Sequence, residues 1–149
     1  MRDRGTSITL NYILVLAISS VLVTGLIIAG GSFVEEQRET VIEGELRIIG
    51  NHLAGNLEQV DRYVEASQGG APGEAYINQT FQQDVTGSTY QVTLDDSGAT
   101  PQVVLSATDV DVTVRVNASV DQSVDDDSFA NGGAVSVAYD GSNLVITNA

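Results

Sequence analysis

Two Asn-x-Ser/Thr triplets, one histidine and one run of three aspartates make up nearly all the chemistry this 149-residue chain offers. The triplets, Asn78-Gln79-Thr80 and Asn117-Ala118-Ser119, are acceptor patterns for N-glycosylation in an exported chain. His52 is the only histidine, which excludes a histidine pair and leaves a single ring for any Ser-His-Asp arrangement. It falls at the edge of an apolar helical stripe, where a partly packed structural ring is expected. There is no cysteine, hence no disulfide framework, thiolate metal site or cysteine nucleophile. There is no lysine either, so no phosphate-binding Gly-x-x-x-x-Gly-Lys exists. Asp125-Asp126-Asp127, with Asp121 nearby, collects carboxylates suited to a hard cation. It lacks the alternating oxygen ligands and closing glutamate of a calcium loop, and a solvated acidic loop is expected. No catalytic, cofactor-binding or metal-binding residue is assigned, and the expectation is a protein that is not an enzyme.

The elements that carry these residues begin with an apolar segment. Thr6 to Val34 is a run of 29 uncharged residues, preceded by Met-Arg-Asp-Arg-Gly. Within it, Ile8 to Ile28 as a helix would be roughly 32 Å long, enough to cross a hydrocarbon core. Arg2 and Arg4 precede the span, while Glu35, Glu36 and Glu39 follow it with only Arg38 among them. Arginines stay in the cytoplasm, so the bulk of the chain is expected outside the membrane. A buried core helix is disfavoured because the stretch is apolar on every face and the remainder is too small to wrap it.

All six cations are arginine, against twenty carboxylates, for a net charge of −14. This excludes nucleic acid as a partner and argues against docking on anionic headgroups. Acidity without lysine resembles the proteome bias of extreme halophiles, in which molar salt screens self-repulsion.

Beyond the span, Gly30-Gly31 is expected to be a soft point, with Ser32 capping a helix that restarts there. From Ser32 to Ala66 the pattern is helical. Ile42, Leu46, Ile49, Leu53, Leu57, Val60 and Val64 recur at spacings of three and four, inside a stripe roughly 80° wide. Val41, Ile48, His52 and Tyr63 widen the apolar sector on one flank, which can be left for a neighbouring subunit. Gln68-Gly69-Gly70-Ala71-Pro72-Gly73 then opens a loop.

After it the period switches to two. Strands are predicted at 89–94, 102–107, 110–120, 134–139 and 143–147, with a sixth at 76–81. Turns fall at Asp95-Asp96-Ser97-Gly98 and Asp140-Gly141-Ser142. The fold class is therefore α+β: a long N-terminal transmembrane and amphipathic helix, then a small antiparallel sheet whose apolar face rests on the helix. The divisions are a leader at 1–5, a transmembrane helix at 6–31, an amphipathic helix at 32–67 and a β domain at 68–149.

Arg4-Gly5 followed by Thr6-Ser7-Ile8-Thr9-Leu10 resembles the class III signal of archaeal type IV pilins. The Ser-Phe-Val-Glu-Glu-Gln-Arg-Glu stretch and Gly87-Ser88-Thr89-Tyr90 are similar to haloarchaeal pilin-like proteins. The resemblance implies that a prepilin peptidase cuts between Gly5 and Thr6, and that the apolar helix joins those of other pilin subunits in a surface filament. Bacterial pilins carry glutamate at the fifth mature position, where this chain has Leu10, so major and minor subunit both stay open. Two other classes compete. One is a single-span anchored binding domain that never polymerises. The other is a secreted protein with an ordinary signal peptide cut near Ala29-Gly30-Gly31-Ser32, against which stands an apolar run longer than the usual 7–15 residues.

Overall fold

The computed structural model of the chain describes residues 3–67 and 75–149, with side chains from residue 9 onward. It divides into two compact units, Met1–Arg38 and Glu39–Ala149. A helix, α1, is assigned over Asp3–Ala66. The expected restart at Ser32 is not seen. The helix is assigned through Gly30-Gly31, and Ser32 donates its hydroxyl to the Ile28 carbonyl four residues back, so it caps nothing. Two glycines cost about 2 kcal/mol in a helix interior, but propagating an existing helix needs no new nucleus. The 68–73 loop expected from sequence lies outside the described residues.

In the second unit, the helical stripe is the spine of the core. Ile42, Leu46, Ile49, Leu53, Leu57, Val60 and Val64 are all buried, and they share one cluster with apolar side chains of the strands. All seven predicted residues are in it, with Ala54 as an eighth from the helix. The buried sector also widens, but on the flank opposite to the one the sequence favoured. Gly50, Ala54 and Asp61 are buried there, while Val41, Ile48, His52 and Tyr63 stay exposed. The reason is close approach. A Cβ on Gly50 would stand 2.8 Å from both Leu105 Cδ1 and Val116 Cγ2, so the glycine lets the strands ride against the helix backbone.

Among the described residues eight strands follow: β1 (Tyr76–Thr80), β2 (Asp84–Val85), β3 (Ser88–Asp95), β4 (Gln102–Ala107), β5 (Thr113–Asn117), β6 (Phe129–Asn131), β7 (Ala134–Tyr139) and β8 (Leu144–Asn148). The α+β class with antiparallel pairing is as expected, but there are two sheets rather than one. The first has the order β1-β7-β8; the second has β2-β3-β4-β5, with β6 also pairing β3. Asn148 ties them together. Its Oδ1 accepts the Asn131 amide, and its Nδ2 donates to the Asn131 and Ala134 carbonyls.

The strand predicted over 110–120 is shorter than its alternation. β5 spans only Thr113–Asn117, although Val112, Val114 and Ala118 are buried as the period requires. Two causes cut it. At the start, Val112 N–H bonds to the Val110 carbonyl in a tight turn. At the end, carboxylates on the helix take the backbone. Glu58 Oε1 accepts the Ser119 amide, and Asp61 accepts those of Asp121 and Gln122 at 3.1 and 2.9 Å. These amides have found partners off the sheet.

Candidate functional site

The first unit presents an apolar helix with nothing covering it. The large apolar residues from Leu10 to Val34 are exposed; Val21 and Leu26 are 72 % and 73 % accessible. Two of its hydroxyls cause no polar penalty there, because Ser20 and Thr24 each donate to the carbonyl four residues earlier, both at 2.9 Å. Gly25 has no atom within 4 Å of where a Cβ would stand. It floors a shallow groove of about 410 Å³ lined by Ser20, Val21, Thr24, Gly25 and Ile28. By length and composition this is the one helix among the described residues able to cross a membrane.

In the second unit, the uncovered flank of α1 runs beside β1. One groove, of about 250 Å³, lies among Gln59, Val60, Tyr63, Ala75, Tyr76 and Ile77. Another, of about 420 Å³, lies between Glu45, Ile48 and His52 on the helix and Gln79, Thr80 and Phe81 beyond it. Between them Asn56 Nδ2 donates to Gln79 Oε1 at 2.7 Å. His52 is built into this wall. Its Nδ1 faces Gln79 Nε2 at 3.5 Å, and its ring meets Phe81 edge to face at a centroid distance of 6.4 Å. That is the packing role expected from sequence. Val41, Ile48, Tyr63 and Tyr76 each expose about half of their surface along the same side.

The acidic loop closes on itself. One carboxylate oxygen from each of Asp125, Asp126 and Asp127 lies within 4.8 Å of the others. Asp125 Oδ1 already accepts the Asp127 amide, and the Asp125 carbonyl accepts the Ser128 hydroxyl and amide. This is the geometry of a solvated turn. Elsewhere two carboxylates do local work. The Ser97 hydroxyl and amide, and the Arg115 guanidinium 3.0 Å away, hold the Asp95 carboxyl below its usual range. The Asn143 and Ser142 amides do the same for Asp140 at the β7–β8 hairpin.

The asparagines of both glycosylation triplets are placed on strands. Asn78 is an exposed residue of β1, and its carboxamide makes no hydrogen bond among the described residues. Asn117 ends β5, also exposed, with Oδ1 accepting Gln102 Nε2 at 2.8 Å and Nδ2 left outward. Gly5 and Thr6, the expected leader junction, fall among the residues whose side chains are not described.

Sequence reasoning missed Asp61. It is 3 % exposed, and holds two backbone amides. Its signal was available: at about 100° per residue it lies next to the apolar stripe rather than opposite it. The β2–β3 turn was missed as well. Thr86 and Gly87 both have positive φ, 49° and 78°, the pattern of a type I′ hairpin in a place where asparagine is usual.

No curated protein and no solved structure matches the chain. Over residues 1–147 it matches a family of unknown function, DUF7266, and it belongs to that family.

Proposed function

We propose that this chain is a non-catalytic structural subunit, major or minor, of a type IV pilus-like surface filament of a haloarchaeal cell. Its leader is removed after Gly5 by a prepilin peptidase, and its apolar helix anchors it in the membrane before assembly. The N-terminus is cytoplasmic, following Arg2 and Arg4, and the β domain lies outside. The observation that carries the reading is the uncharged helical stretch from Leu10 to Val34, exposed throughout, with the Ser20, Thr24 and Ser32 hydroxyls bonded to carbonyls of the same helix. Such a surface is stable in lipid or against other helices, and not in water. The uncovered flank at Val41, Ile48 and Tyr63 supports contact with neighbouring subunits outside the membrane.

Gly25 supplies the test. Apart from its own turn of helix, no described residue stands within 4 Å of its Cβ position, so a larger residue there alters contacts with other helices rather than the packing of the described chain. Gly25→Leu is expected to reduce recovery in sheared surface filaments while membrane levels hold. A wild-type chain that never enters the sheared fraction would overturn the filament reading in favour of an anchored domain.

A further inference from the structure

Two sheets have four edges, and this chain treats them in two ways. The outer edge of β8 is covered. Leu144 N–H bonds to the Ser123 carbonyl, the Leu144 carbonyl accepts Asp125 N–H, and Ile146 N–H reaches Ser128 Oγ. The outer edge of β3 is occupied by β2 and β6, two and three residues long. The remaining edges are β1 and β5, each five residues and each unpaired on its far side among the described residues.

Open edges of this length invite pairing with another chain, and proteins blunt them with lysine, proline, bulges or a cover. Here there is no lysine, and the two prolines, Pro72 and Pro101, lie in neither strand; the one charge on the two strands is Arg115 of β5, which is paired with Asp95 of β3 in its own sheet. Both open strands instead carry the asparagine of a glycosylation triplet, Asn78 within β1 and Asn117 as the last residue of β5. The register sharpens the coincidence. In β1 the bonds Tyr139 N–H to Ala75 O and Phe81 N–H to Gly133 O turn the odd-numbered residues toward β7. The backbone groups of Tyr76, Asn78 and Thr80 therefore point to the free edge. In β5 the bonds Ala107 N–H to Val112 O and Ala118 N–H to Pro101 O turn the even-numbered residues toward β4. The backbone groups of Thr113, Arg115 and Asn117 point outward. Each triplet asparagine thus sits on an open edge, at a position whose own N–H and C=O face that edge, with its side chain exposed.

We infer that Asn78 and Asn117 are N-glycosylated, and that their glycans guard the two open sheet edges against pairing with other copies of the chain. The inference rests on the reading that the β domain lies outside the membrane. In the transfer, Nδ2 of the asparagine bonds to the anomeric carbon of a lipid-phosphate-linked oligosaccharide. The bond from that carbon to the phosphate oxygen breaks, its electron pair leaves with the lipid phosphate, and the proton lost from Nδ2 passes to that phosphate or to water. The hydroxyls of Thr80 and Ser119, two residues on, complete the acceptor pattern, and neither is engaged in a hydrogen bond among the described residues.

The test uses the full chain recovered from the cells that make it, with three readouts. Peptide mass spectrometry is expected to place increments of whole sugar residues on Asn78 and Asn117. Thr80→Ser keeps the first increment; Thr80→Ala and Ser119→Ala, which spare the asparagines, each abolish one. In detergent, the double variant Asn78→Gln with Asn117→Gln is expected to show a several-fold larger self-associated fraction by size-exclusion chromatography, with an unchanged circular dichroism spectrum. Separately, Ser142→Cys gives the chain its only thiol, and an impermeant maleimide on intact cells reports which side the domain is on. A labelled thiol with unmodified asparagines overturns this inference while leaving the topology standing. Glycans whose loss leaves the self-associated fraction unchanged overturn the guarding role. An unlabelled thiol with bare asparagines overturns both the inference and the exported topology beneath it.

Discussion

Asp61 shows how one side chain decides where a strand ends. Its carboxylate sits buried on the helix and takes two amides of the 121–122 backbone. Removing it leaves two part-buried amides without their charged acceptor. Asp61→Ala is expected to destabilise the 39–149 unit by about 1–3 kcal/mol, measured by urea unfolding, the range for losing hydrogen bonds to a charged group. Thr86 works the other way. It is β-branched, at positive φ in a two-residue hairpin, and Thr86→Asn should stabilise by about 0.5–1 kcal/mol in the same assay. Two surface carboxylates set the acid limit. Asp95 and Asp140 have pKa values below the ordinary 3.8. Their contributions are whole above that value and disappear as pH falls through the lower folded values. Thermal midpoints measured from pH 6 downward should therefore fall off only below about pH 4 from this cause. At this scale the sequence was partly legible. The Asp95 and Asp140 turns were readable, because aspartate followed by serine and glycine makes a local bond. For Asp61 only its place beside the apolar stripe was readable; the distant 121–122 backbone that its carboxylate takes was not.

Elements with a long period were read correctly, and short ones were invisible. The helical stripe holds over seven residues, and β7 alternates residue for residue; β4 keeps the bounds 102–107 but buries Val103, Val104 and Leu105 in a row. β2 and β6 have two and three residues, too few for a period, and both exist because β3 offers them an edge. The split into two sheets was equally hidden, since alternation says which face of a strand is apolar and not which strand lies beside it. The second buried flank, at Gly50, Ala54 and Asp61, was hidden for a related reason. Bulky side chains mark an apolar sector in sequence, but the strands came in over Gly50, where absence of a side chain allows contact. Gly50→Val should thus cost about 1–3 kcal/mol in unfolding free energy by overpacking Leu105 and Val116. A variant as stable as the wild type would mean that the helix and strands have slack between them.

For the whole molecule, charge and the apolar helix are the facts that matter. A net charge of −14 with no lysine repels itself over about 30 Å at 0.01 M salt but only about 3 Å at 1 M. A small domain with a few kcal/mol of net stability responds to that. The 39–149 unit is expected to be folded in about 2–4 M sodium or potassium chloride and to lose circular dichroism on dilution. Equal thermal midpoints across salt would leave the acidity as a solubility feature only. The filament reading depends on processing at the start of the chain, and Gly5→Val is expected to block it. The most direct measurement is the N-terminal residue of the mature protein, read by mass spectrometry of the membrane and sheared fractions. The account predicts Thr6; Met1 retained in both fractions, or a new terminus near Ser32, would contradict it.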